Sequence, residues 1–226
     1  MRPAVVIIAL SALMLASPAH AQDRPVTFII GAGVTATAGE IKTNFGSGFN
    51  IDLGATFRLT DAIGFQAEYQ FNDFGRKQVD LATNLPTDAP TTFDVKHRMH
   101  VGAFDLVFKP KMNGGASGYL LVGPGVYNRS VDLTTPGVGY VRVCNPWWYI
   151  CYGGPVAVDK VIGSRGSTDI GINFGGGVSF PLGDSASFYV EARYHYIWGP
   201  TVDDPTTGEA VKANGKYFPI TAGFRF

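Results

Sequence analysis

The stretch KYFPITAGFRF, residues 216–226, places two chemistries on alternate residues. Phe218, Ile220, Ala222, Phe224 and Phe226 share one parity; Tyr217, Pro219, Thr221, Gly223 and Arg225 share the other. A period of two is the repeat of a β-strand, whose successive side chains point to opposite faces. The preceding SFYVEARYHYIW repeats it, with Phe188, Val190, Ala192, Tyr194, Tyr196 and Trp198 against Tyr189, Glu191, Arg193 and His195. Working upstream, the same alternation runs through 169–180, 63–72, 49–59 and 26–35. It is less clean over 98–109 and 118–130. These segments make eight strands. Short links around Thr60-Asp61, Met112–Gly115 and Leu182–Asp184 alternate with long ones at 37–47, 75–96, 131–167 and 199–214. Hairpins linked in this way put all the short turns at one end of the sheet and the long loops at the other.

Alternation does not say which face is outside, because a soluble ligand-binding barrel alternates too. Composition decides it. Charged residues are 16% of the chain, where an ordinary soluble domain has about 25%. The polar face is built from Gly, Asn, Gln, Ser and Thr with few charges, unlike a water-facing surface. Aromatics such as Phe49, Phe71, Phe188, Trp198, Phe218 and Phe226 sit near strand ends, where interfacial girdles form. Strands of about ten residues suit a tilted crossing of hydrocarbon. The reading is therefore all-β: an eight-stranded antiparallel up-and-down transmembrane β-barrel with its apolar face in lipid. Unpaired amides in hydrocarbon cost several kcal/mol each, so the sheet must close.

Eight strands enclose a lumen just wide enough for side chains. On the inward parity lie Asp52, Arg58, Glu68, Glu191, Arg193 and Arg225. Buried charge needs partners, so these residues are expected to form a salt-bridge network that plugs the barrel.

The chain begins MRPAVVIIALSALMLASPAHA. Arg2, the apolar run Ala4–Leu15 and the small-residue site Ala19-His20-Ala21 read as a secretory signal peptide over 1–21, leaving a barrel domain over 22–226. The run is too short for a retained anchor. Gln22, not Cys, follows the cleavage site, so lipid anchoring is not indicated. Export implies a compartment in which disulfides persist. Zero net charge argues against nucleic acid as a partner.

With leader, eight alternating strands and the terminal YFPITAGFRF together, the chain resembles the small outer-membrane β-barrels of Gram-negative bacteria, the OmpA/OmpX-like type. The resemblance implies the bacterial outer membrane as location, with lipid and lipopolysaccharide as surroundings. It implies that Phe218, Ile220, Phe224 and Phe226 form the recognition signal for the outer-membrane insertion machinery. Unlike OmpA, the chain ends at the barrel, so no wall-anchoring domain is expected.

Other constellations carry less. GAGVTA at 31–36, with Asp52 about twenty residues on, fits a loose dinucleotide fingerprint. That motif needs a helix next, and TAGEIKTNFGSG does not supply one. His97 and His100 fall on opposite faces of a strand and make no metal pair. Some barrels of this type modify lipid A and need a nucleophile beside a His base. His195 is the best base, but its same-face neighbours are Arg193 and Ile197, with no serine. Asp203, Asp204 and Glu209 lack the ligand density of a calcium loop.

CNPWWYIC, 144–151, holds the only two cysteines, and its flanks VRV and VAVDKVI suggest a hairpin standing above the membrane. Two thiols without nearby His fall short of a four-ligand metal site, and the spacing is not C-x-x-C. A disulfide Cys144–Cys151 is expected. It clips Trp147, Trp148 and Tyr149 into a tip that either packs on the loop or presents a contact patch for a glycan, lipopolysaccharide or protein. No cofactor or metal is implied. The reading is a non-enzymatic outer-membrane barrel with a plugged polar lumen and long loops, in a structural or surface-binding, adhesive role. A lipid A-modifying enzyme and a small-solute pore are the alternatives.

Overall fold

Pairing of neighbouring segments closes the alternating strands into a ring. The structure, a computed structural model, describes residues 25–39, 41–42, 45–81, 91–110, 115–145, 150–183, 185–203 and 208–226. The expected leader and the tip residues Trp147, Trp148 and Tyr149 lie outside these. The barrel strands are β1 (Val26–Ala38), β2 (Gly46–Arg58), β3 (Ile63–Leu81), β4 (Thr91–Phe108), β5 (Ser117–Asn145), β6 (Ile150–Leu182), β7 (Ala186–Trp198) and β10 (Gly215–Arg225). Two short strands, β8 (Thr201–Asp203) and β9 (Ala210–Lys212), form a separate ribbon between β7 and β10.

Every barrel neighbour is antiparallel, and β1 closes the ring on β10 from Ile29↔Arg225 to Ala38↔Lys216. In β10, buried and exposed residues alternate without interruption. Phe218, Ile220, Phe224 and Phe226 all face out. Leu53, Phe104, Leu120, Phe174 and many others join them in an apolar outer band. Register carries the upper limit of this band around the ring: Val34 pairs with Phe49 and Ile220, Phe71 with His100, and Ile170 with Trp198. Its lower limit is marked by ring pairs, Phe28 with Phe226 at 6.3 Å and Phe188 with Phe224 at 5.8 Å. Only lipid can face such a band without penalty.

The short turns follow their local chemistry. Thr60 Oγ1 accepts from the backbone N–H of Ile63 at 3.0 Å between β2 and β3. Gly183, with φ of 74°, turns β6 into β7 through a conformation that side-chain-bearing residues avoid.

At the other end the long links differ from irregular loops. β3 and β4 run on to the pair Leu81↔Thr91. β5 and β6 are 29 and 33 residues long and stay paired to Asn145↔Ile150. About 9–11 residues cross a bilayer, so most of this hairpin stands above it. The segment 131–167, expected as a long link with a hairpin at its VRV and VAVDKVI flanks, is thus a ribbon paired along its described length. A bulge interrupts it: Leu133 pairs with Gly163 and Thr134 with Val161, leaving Ile162 as the extra residue. Among the described residues, β5 beyond Thr134 and β6 before Ile170 pair only with each other. Pro136 and Pro155 sit in these free-edged stretches.

A lipid-facing position should reject charge according to depth. Leu53→Arg, in the middle of the band, is expected to lose about 2–4 kcal/mol, and Leu59→Arg beside the turn at most about 1 kcal/mol. Urea unfolding in phospholipid vesicles measures both; equal losses would place the band elsewhere.

Candidate functional site

The inward face of the barrel converges on one cation. Arg193 of β7 is almost fully enclosed. Its Nη2 donates to Glu68 Oε2 at 2.6 Å, its Nη1 to Asp105 Oδ2 at 3.0 Å, and its Nε to Glu191 Oε1. Three strands, β3, β4 and β7, are thereby tied across the lumen. Glu191 also accepts from Tyr119 Oη at 2.7 Å and pairs with Arg225 Nη2 at 3.4 Å. The Arg225 guanidinium lies over the rings of Tyr119 and Tyr189, at 4.0 and 4.7 Å from their centroids. Tyr189 donates to Asp52 at 2.6 Å, and Asn173 to Asp105 at 2.8 Å. Gln66 donates to Glu68 at 2.7 Å and accepts from Thr56 at 2.9 Å.

Glycine makes room for these tyrosines. A Cβ on Gly31 would lie 2.3 Å from the Tyr189 hydroxyl, and one on Gly177 would lie 2.4 Å from that of Tyr119. The glycines of GAGVTA therefore belong to strand β1, where Gly31 admits a lumen side chain.

Toward the long-loop end the filling changes character. Asn50, Thr35, Asn72 and Thr221 form a chain of neutral hydrogen bonds. Above and beside it Phe74, Met99, Val101, Tyr127, Ile197 and Tyr217 pack into one cluster, with Phe45 against it. His195 stacks on Tyr217 at 4.5 Å and shares a 3.0 Å hydrogen bond between its Nδ1 and the Tyr127 hydroxyl. His97 is buried and His100 is exposed, on opposite faces of β4.

Above the apolar band, ion pairs brace the tall hairpin against β3 and β4. Arg98 pairs with Asp132, which also accepts from Ser164 Oγ at 2.7 Å. Lys96 at 2.5 Å and Arg76 at 3.4 Å both reach Asp159. The Ser164 hydroxyl and Arg98 hold the Asp132 carboxyl below its ordinary range. Lys96 does the same for Asp159. At the far end of the paired ribbon, Cys144 stands opposite Cys151.

Of the six charges expected in the lumen, Asp52, Glu68, Glu191, Arg193 and Arg225 are brought together and buried. Arg58 is a correction: it is exposed at the short-turn mouth, lining a cavity of about 320 Å³ with Lys109 and Arg225. Its parity is inward, but it is the last residue of β2. Asp105 takes a place in the network that the sequence reading did not give it. Strand β4 buries Met99, Val101, Ala103 and Val107 on the same face, so within the span of the barrel's charged layer its inward side carries no polar signature except Asp105 itself. Among the described residues this network thus holds four carboxylates and two guanidiniums, not three of each. Tyr189 and Asn173 donors supply part of the difference.

The sequence profile of the family described as outer membrane protein beta-barrel domain matches residues 7–226. No curated protein matches the chain. Among solved structures the chain is similar to a major outer membrane protein of Thermus thermophilus, with 12% identity, 90% of this chain and 99% of that chain covered, and a TM-score of 0.53. It is also similar to OprG of Pseudomonas aeruginosa (15% identity, 92% and 99% covered, TM-score 0.47) and to Neisserial surface protein A (16% identity, 89% and 96% covered, TM-score 0.46). At these identities the likeness is one of fold.

Two outcomes follow from the geometry. Arg193→Met leaves Glu68 and Asp105 without their cation and Glu191 with Arg225 alone, and should cost about 3–5 kcal/mol, whereas Arg58→Met should cost at most about 1 kcal/mol; chemical unfolding in vesicles compares them. Because the Asp132 and Asp159 carboxyls lie below their ordinary value of 3.8, their bracing is complete above that value and is lost as pH falls through the lower folded-state values. Amide protection at the hairpin base should hold from neutral pH down to about 4 and fall only below it; loss near neutrality would contradict the pairing.

Proposed function

Because the chain belongs to the outer membrane protein β-barrel domain family, we propose that it is a display protein of the outer membrane, a plugged barrel that holds one tall hairpin above the cell surface. In such barrels short turns face the periplasm and long loops face outward, which puts the β5–β6 ribbon outside. That ribbon carries the reading: its strands of 29 and 33 residues far exceed what membrane crossing needs. Its base is braced by the Asp132 and Asp159 ion pairs. Bracing reduces the ordering that binding would otherwise cost. Val138 and Tyr140 on the ribbon are 79% and 76% exposed, so apolar surface is offered to the outside.

A disulfide joining Cys144 and Cys151 completes the device. Directly opposed residues of an antiparallel pair have Cα atoms about 4.5–5.5 Å apart, inside the disulfide range. The clip holds Trp147, Trp148 and Tyr149 as a preorganised patch for a surface glycan, lipopolysaccharide or protein. Aromatic residues of this kind dominate contact energies. Phe218, Ile220, Phe224 and Phe226, exposed on the last strand, are the signal read by the insertion machinery. The Arg193 network and the aromatic cluster above it make a conducting lumen unfavourable. His195, stacked and bonded to Tyr127 within the lumen, is poorly placed to serve as a base for lipid substrates.

Photo-crosslinking from position 148 on living cells should capture a defined surface component, and capture should weaken when Cys144→Ser releases the clip. Thiol labelling of the intact protein should require reductant. A large, steady single-channel conductance would replace this reading with a pore, and turnover on lipid A would replace it with an enzyme.

A further inference from the structure

The outward mouth of the barrel contains a cavity of about 550 Å³ that the display role does not use. This is a size typical of sites for small organic molecules. It is a blind cup, because the Phe74–Tyr127–Tyr217 cluster closes the barrel beneath it. Ile41 and Phe45, from the β1–β2 link, and Pro200 and Val202, from the β7–β10 link, form apolar parts of its wall.

One row of side chains crosses the other wall. His97 of β4 pairs with Val131 of β5, and Val131 pairs with Arg165 of β6. Directly opposed residues share a face, so the three project together, about 5 Å apart from strand to strand. His97 is 3% exposed, its ring stacked on Phe74 at 4.6 Å with Phe45 tilted against its other side at 4.7 Å. Neither of its ring nitrogens has a hydrogen-bond partner among the described residues. A neutral imidazole offers one donor and one acceptor, and leaving both unmade in a buried place is costly. At the other end of the row the Arg165 guanidinium is exposed and enters no ion pair among the described residues. Arg129, two residues before Val131, is already held by Asp169 and by the carbonyl of Ala213 at 3.3 Å. No described residue lining the cup is acidic.

We infer that this cup binds a small amphipathic carboxylate, its anionic head on Arg165, its apolar body over Val131 and Phe45, and a second polar group on His97. A cation would meet the Arg165 guanidinium, with no acidic side chain in the described lining to offset it, and is disfavoured by charge. A purely apolar molecule would leave the His97 nitrogens unanswered.

The test uses the full chain folded in lipid nanodiscs, with 4-hydroxybenzoate as probe and tyramine as its cationic counterpart. Long-range proton–nitrogen spectra follow the His97 ring. 4-Hydroxybenzoate should shift the His97 nitrogens saturably, and tyramine should not. Arg165→Gln, on an exposed position, should weaken binding roughly tenfold. His97→Phe keeps a ring between Phe45 and Phe74 and should weaken it similarly, with the heat-shifted gel mobility of a folded barrel retained. The inference is overturned by an absence of saturable shifts, by equal binding of tyramine, or by unchanged affinity in either variant.

Discussion

A backbone amide in hydrocarbon has no water to fall back on, and the pairing of β1 with β10 meets that constraint. Once the ladder closes, no strand edge faces lipid within the apolar band. Closure with eight strands then fixes the bore, and the bore fixes what fits inside it. Each residue of a barrel strand is assigned to lipid or to lumen by parity alone, which is why β10 alternates from Gly215 to Arg225 without a break. The glycines opposite Tyr189 and Tyr119 are a consequence of the same narrowness: bulky rings on one strand require an absent side chain on another.

Narrowness also makes the charges interdependent. Removing an ion from water costs several kcal/mol even after relaxation, and only good geometry offsets it. Arg193 reaches three carboxylates from three strands, so its position is determined from several directions at once. A polar core of this kind adds little net stability compared with an apolar one of equal volume, but it penalises wrong registers. A strand that slipped by one residue would turn Glu191 or Arg193 toward lipid. The aromatic layer above it carries no ion pair, and there shape and the Tyr127–His195 hydrogen bond decide the packing.

Most of the barrel was legible because lipid enforces the alternation. In β1, β2, β7 and β10 the outward residues are apolar and the inward ones, apart from Ile29 and Ile197, mostly small or polar, and the period is plain. In β4 and β5 it blurs, because Met99, Val101, Val107 and Leu121 are apolar and inward while Leu120, Val122 and Phe104 are apolar and outward. Parity located Asp52 and Glu68 correctly, but it does not report depth, and so Arg58 was assigned to a layer that it lies below. Above the membrane nothing enforces alternation. TTPGVGY therefore reads as part of a long link, and only the flanks VRV and VAVDKVI suggest a hairpin, although the whole stretch from Thr134 to Asn145 pairs with Ile150–Val161; the Gly and Pro that suggest turns are accommodated within a two-stranded ribbon. The mouth cavity was illegible for another reason. Its row, His97, Val131 and Arg165, is assembled by register between strands far apart in sequence.

The same Gly and Pro residues have a consequence for life in a crowded membrane. A long ribbon with two free edges is a template on which neighbouring copies can add strands. Proline offers no N–H to an incoming strand, and a bulge spoils the regular spacing that such a strand needs. Pro155 and the bulge at Ile162 break the β6 edge into short runs, and Pro136 interrupts the base of the β5 edge. Along β6 an incoming strand would find only short runs, so lateral zippering between adjacent barrels would have to follow the outer half of β5, where Gly137 and Gly139 weaken strand pairing.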